Sequence, residues 1–148
     1  MIAALFVRHN SVYKTLPDVD AWDAQRDARL WPGGMPCVVH PPCAQWGIMR
    51  GLSNDVPHLK ALAPLAVEFV RNNGGVLEHP KGSLLWQHMK LPDPGERADE
   101  YSGQTFAISQ KWFGHRAEKL TLLYVVGCSL KDIPPLPITL GEAQAVIG

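Results

Sequence analysis

The chain has 148 residues, 46 % of them apolar and 19 % charged, and its 14 Lys and Arg are matched by 14 Asp and Glu. That length suits a single domain spanning 1–148, and a net charge of zero excludes a global field that would draw in nucleic acid or an anionic membrane. Any such binding has to rest on a local basic patch, and no apolar run approaches the roughly 20 residues of a membrane span.

Residues 2–7, IAALFV, are an apolar run of strand length with no basic lead, which predicts a first strand covered on both faces rather than a secretory signal. Residues 18–30 carry aspartates early and arginines late, with Val19, Trp22 and Leu30 as a thin apolar stripe, and this predicts a surface helix. A Trp-Pro-Gly-Gly-Met-Pro stretch breaks it, residues 37–40 read as a short strand stopped by Pro41-Pro42, and residues 43–54 read as a functional loop. Leu59, Leu62, Ala66, Phe69 and Val70 recur at helical spacing. Asn54, Asp55 and Pro57 are the start signals of that helix, Gly74-Gly75 the stop, and Pro64 a kink or restart. Strands are expected at 75–80, 105–108 and 120–126, an acidic exposed loop at 92–103, and a tail with Pro134, Pro135 and Pro137 that wraps the surface.

Alternating strands and helices that end in a hairpin predict an α/β three-layer sandwich, its sheet mostly parallel with a C-terminal antiparallel hairpin. In such sheets ligands gather beyond the carboxyl ends of the strands, which puts His40-Pro41-Pro42-Cys43 and Glu78-His79-Pro80 on one edge. Three cysteines, Cys37, Cys43 and Cys128, exclude a fully paired disulfide set and point to a reducing cytoplasm.

A cysteine held in a rigid, partly exposed turn is a candidate nucleophile, and Cys43 follows a strand and two prolines. Glu78 ends the neighbouring strand, where burial would raise its pKa enough to hold a proton near neutrality. A thiolate and a nearby acid are the minimum for adding sulfur to carbon 6 of a pyrimidine ring. The plainer readings make Cys43 a small buried hydrophobe, pair Glu78 with Arg8 or Arg50, and leave Arg116 and Lys119 beside Glu118 as solvated surface. Arg50 reads as a phosphate contact or a solvated charge, and Trp46, Trp86 and Trp112 as base-stacking or packing residues. Cys37-x-x-His40-x-x-Cys43 has the composition of a zinc site, but strand parity points Cys37 and His40 to opposite faces, so no metal is expected.

The order Pro41-Pro42-Cys43, then Leu77-Glu78, then Phe113-Gly114-His115-Arg116-Ala117-Glu118-Lys119 leading into Tyr124-Val125-Val126-Gly127, resembles the cytosine carbon-5 DNA methyltransferases. The chain is also similar to short phage and prophage proteins with a His-Pro-Pro-Cys, Leu-Glu-His-Pro, Trp-Phe/Trp-Gly-His pattern. The resemblance implies a methyltransferase-like Rossmann fold and transferase activity in DNA modification, with Cys43 as nucleophile and Glu78 as acid. Pro42, His79, Arg50, His115, Arg116 and Lys119 would contact the base or its phosphates. His79 stands where the family has Asn. Residues 6–11 hold no glycine where the family has Phe-x-Gly-x-Gly-Gly, which counts against S-adenosylmethionine. Only 21 residues follow Gly127, fewer than the family's target-recognition domain needs. The expected partner is DNA or a pyrimidine nucleotide, with no membrane, a homo-oligomeric site left open, and the cytoplasm (of a host cell, for a phage protein) as compartment. Two other readings stand beside this one: a non-catalytic nucleic-acid- or nucleotide-binding protein on the same fold, and a pyrimidine one-carbon transferase with a donor such as a folate.

Overall fold

A computed structural model describes residues 1–52, 54, 56–135 and 145–147. The apolar run at the start forms β1 (Ile2–Val7), in which Ala3, Ala4 and Leu5 are fully buried. Their burial follows from position, since β2 (Val19–Asp23) and β3 (Cys37–Val39) pair parallel to the two edges of β1. β4 (Gly75–Pro80) pairs parallel to β3. Beyond it, β6 (Ala117–Val126) runs antiparallel between β4 and β5 (Gln104–Ser109), giving the order β2-β1-β3-β4-β6-β5. The fold is therefore α/β, with a mixed sheet that is mostly parallel and closes in an antiparallel hairpin. A short β7 (Ala145–Ile147) pairs parallel to the start of β6. Of the tail prolines, Pro134 and Pro135 are exposed and Pro137 lies outside the described residues.

The predicted helix is present as α1 (Pro57–Lys60) and α2 (Leu62–Asn73), separated at Ala61. Pro64 sits in the first turn of α2, where its missing N–H costs nothing, so it marks a restart and not a kink. Val56 precedes the first helical residue and Asn54 supplies no cap; Asp55 is outside the described residues. α2 turns Ala63, Ala66, Val67 and Val70 into the core against β3, β4 and β6, and each buried valine contributes on the order of 1.5 kcal/mol. Gly74 ends it at φ +79°, its N–H donated to Val70. Gly75, at φ +129°, lies so close to β3 that a Cβ would run into the backbone of Cys37. A short α3 (Leu85–Met89) buries Leu85 and Trp86 after β4.

The expected helix over 18–30 is instead strand β2 followed by turns and a single 3-10 turn at Ala28–Leu30. Its charge order serves local pairs and not a helix dipole: Asp20 accepts from Trp22 and Arg26, Asp23 caps the backbone of Arg26, and Asp27 holds Arg29. The open edge of β1 decides the matter, because pairing there satisfies a row of backbone groups that a surface helix would leave bare. Leu30, counted in the apolar stripe, is exposed, while Trp31 is buried edge-on to Phe69. No helix among the described residues is long and apolar enough to cross a membrane.

Candidate functional site

The chain leaves β1 to one side for β2 and returns to the other side for β3, so the strand order reverses between β1 and β3. Loops diverge at such a reversal and leave a crevice beyond the carboxyl ends of the strands. A cleft of about 480 Å³ lies there, lined by Arg8, Tyr13, His40, Pro42, Cys43 and Glu78. Parallel pairing of β3 and β4 brings the two loops together, so the expectation that both fall on one edge is met for these residues. Cys43 is exposed.

His40 Nδ1 lies 3.4 Å from Glu78 Oε2, and its Nε2 lies 3.1 Å from the Tyr13 hydroxyl. With the ring proton on Nδ1 both contacts are satisfied: Tyr13 donates to His40, and His40 donates to Glu78. The other carboxylate oxygen of Glu78 accepts from Gln110 at 3.4 Å and faces Lys119 Nζ at 3.9 Å. Burial pulls the Glu78 pKa upward, as expected, but the hydrogen bond from His40 and the charge of Lys119 outweigh it, and the group is held below the ordinary carboxylate range. This corrects the reading of Glu78 as a raised-pKa acid: near neutral pH it is a carboxylate that accepts hydrogen bonds.

Tyr13 is delivered by a 3-10 turn at Val12–Thr15, capped by Ser11. The turn is tied to the sheet by Lys14, which donates to Asp23 at the end of β2. That hydrogen bond, with a second from the Arg26 backbone, brings the Asp23 carboxyl down to about 2. β1 itself ends in a local irregularity: its register slips between Leu5 and Val7, and Phe6 adopts φ +59° with its ring 6.5 Å from Phe69. A side-chain-bearing residue in that region costs on the order of 1 kcal/mol or more, and such outliers gather at binding sites.

His79, expected to contact a base, is fully buried and faces away from the cleft. Its Nδ1 accepts the Ser83 hydroxyl at 2.6 Å, and that hydroxyl oxygen in turn accepts the Leu85 N–H. The ring proton is thereby placed on Nε2, which makes no full hydrogen bond and faces the carbonyls of Pro41 and Pro42. Burial holds the imidazole neutral, its pKa lowered to about 4. His79 is thus a positioning residue beneath the Pro-Pro-Cys turn.

The remaining candidates divide. Lys119 reaches the site through Glu78. Arg50 is exposed and bonds back to Gly47 of its own turn at 3.2 Å. His115 and Arg116 are exposed, and His115 spends Nδ1 on the backbone of Ala117. Neither Arg50, His115 nor Arg116 lines the cleft. Trp46 and Trp86 are core residues, their indole N–H groups donated to Lys60 O and Thr105 Oγ1. Cys37 is buried with its thiol pushed up to about 12, an inert core position. The described residues hold no cluster of three or more His, Cys, Asp or Glu arranged for a metal ion. Tyr13 and Gln110 had no signal in the sequence; His40 did, since two strands end in His-Pro.

A second cleft, of about 390 Å³, shares Phe6, Val7 and Pro42 with the first and extends past Asp23 and Asp27 to His58. The chain matches no model of a known protein family, and a search of curated proteins finds no match. The functional reading therefore rests on geometry.

Proposed function

We propose that the chain is a pyrimidine-modifying protein in which Cys43 adds to carbon 6 of a base held against the Glu78 carboxylate. The observation that carries this reading is the exposed Cys43 thiol on a strand-end turn, in one cleft with Glu78, His40 and Tyr13, at the reversal point of the sheet. The reversal itself, with parallel β2, β1, β3 and β4, supports a Rossmann-like methyltransferase fold. In the addition step a bond forms between sulfur and carbon 6, and the carbon 5–carbon 6 electron pair moves toward nitrogen 3. Nitrogen 3 takes up the proton that the thiol gives up. Glu78, as a carboxylate, accepts a hydrogen bond from the ring in its protonated form and so stabilises the charge that addition requires.

The second cleft does not fit S-adenosylmethionine. Backbone at the end of β1 would have to approach that cofactor closely, yet Phe6 stands there with a full side chain, and no glycine lies between it and Ser11. Asp23 is engaged by Lys14 and the Arg26 backbone, and Asp27 by Arg29, so neither carboxylate is left to receive a ribose. No step is therefore routed through it. That misfit favours, as a second reading, base binding without group transfer, or transfer from a one-carbon donor of another class.

The test is trapping with 5-fluorocytosine in the presence of each class of one-carbon donor, because once a carbon is delivered to carbon 5 the fluorine there cannot leave as a proton does and the sulfur stays bound to carbon 6. Wild type forms an adduct resistant to denaturation, Cys43→Ser forms none, and Glu78→Gln forms it much more slowly. Absence of an adduct with mononucleotide, single strand and duplex alike refutes the covalent reading. Retained, reversible cytosine binding in that case leaves the non-catalytic one.

A further inference from the structure

Beside the mouth of the cleft, the turn that follows Cys43 projects Ile48, Met49 and Leu52 into solvent at 62 %, 67 % and 81 % exposure, with Arg50 between them. Large apolar side chains so exposed in one turn are unusual unless they meet a partner. The turn does not stand alone. Ile48 packs on Gly82, where a Cβ would collide with it, and Leu84 donates its N–H to Trp46 O at 2.9 Å. Lys81 donates its N–H to Leu120 O at 3.1 Å, which joins the turn after β4 to β6. Leu84 and Leu120 are themselves 40 % and 41 % exposed. Three segments, 43–52, 80–84 and 117–121, are thereby joined; together they expose these five apolar side chains, carry Arg50, Lys81 and, beside Glu78 at the cleft, Lys119, and contain one carboxylate, Glu118.

We propose that this surface binds a single strand of nucleic acid, the bases resting on the apolar side chains and the phosphates on the three cations, with one base turned into the cleft. The proposal rests on the pyrimidine reading of that cleft. A basic border that follows the backbone is the feature it shares with single-strand grooves, while it offers the base faces aliphatic side chains where such grooves commonly offer aromatic ones. A duplex is disfavoured by magnitude. Extracting a paired base costs a few kcal/mol, and three cations on an otherwise neutral chain offset little of that.

The experiment measures anisotropy of a labelled oligodeoxycytidylate of about 12 nucleotides, a length within the span of single-strand sites, alongside the matching duplex. Wild type binds the single strand at least about tenfold more tightly than the duplex. About three phosphate contacts imply weakening on the order of a hundredfold when salt rises tenfold. Met49→Glu with Leu52→Glu, and separately Arg50→Glu, each weaken the strand by about tenfold or more, and circular dichroism checks that both variants keep the fold. Supplied with the same one-carbon donors, the Met49/Leu52 variant forms the covalent adduct with 5-fluorodeoxycytidine monophosphate as wild type does. Unchanged strand binding in both variants, or equal affinity for duplex, overturns the proposal while a mononucleotide adduct keeps the site reading. Loss of strand binding with no mononucleotide adduct keeps the surface and removes the covalent site. Strand binding that ignores salt, with the variants instead abolishing self-association, identifies the surface as a protein interface and overturns the proposal.

Discussion

His79 offers the sharpest quantitative test, because its burial makes the fold sensitive to mild acid. In the folded chain its pKa is lowered to about 4 from an ordinary 6.5, burial being the main cause. A histidine depressed on folding contributes stability that is complete above the unfolded pKa and is lost as pH falls toward the folded one. The window is therefore pH 6.5 down to 4, and the full loss is about 3 kcal/mol. Between pH 7 and pH 5 the linkage relation gives about 2 kcal/mol. With a urea slope of about 1.5–2 kcal/mol/M for a chain of this size, the midpoint should drop by about 1 M over that interval. The carboxylates with lowered pKa, Asp23 and Glu78 among them, act at lower pH and leave this interval to the imidazole. Protonation also forces a second proton onto Nδ1, where Ser83 now donates, so the support under Pro41 and Pro42 is disturbed with it. His79→Gln keeps an amide that can pair with Ser83 but cannot titrate. Its midpoint should therefore fall far less between pH 7 and pH 5, whatever its absolute stability. Parallel declines in wild type and variant would refute the buried, neutral imidazole.

Three further outcomes follow from the packing. Thiol titration of the native protein should show two accessible cysteines, Cys43 and Cys128, with the third, Cys37, reacting only on unfolding; three fast thiols would contradict the buried position on β3. Gly75→Ala should destabilise by about 3 kcal/mol or more, read as a lowered Tm or loss of soluble protein, because both φ +129° and contact with Cys37 backbone oppose a Cβ. Asp23, brought down to about 2 by Lys14, contributes stability that is present above pH 4 and lost as pH falls toward 2. Asp23→Asn should therefore flatten the acid limb of a pH–stability curve, and should also loosen the Val12–Thr15 turn that carries Tyr13, measurable as faster amide exchange there.

Local sequence determined the strands that carry a short apolar or β-branched run. β1, β3, β4, β5 and β6 lie where 2–7, 37–40, 75–80, 105–108 and 120–126 were expected, and α2 where the helical spacing ran. Backbone stiffness and period act over a few residues, so they are written locally. Tertiary structure decided the rest. Residues 18–30 carry helix-like charge order, yet the free edge of β1 makes 19–23 a strand. The glutamate expected to hold a proton is a carboxylate because His40 and Lys119 stand beside it, and His79, two strand positions from Leu77, shares its buried face rather than that of Glu78. Tyr13 and His40 are 27 residues apart, and His40 and Glu78 are 38 apart. Charge state and site membership depend on fields and contacts between such distant segments, and those exist only once the sheet has set its strand order.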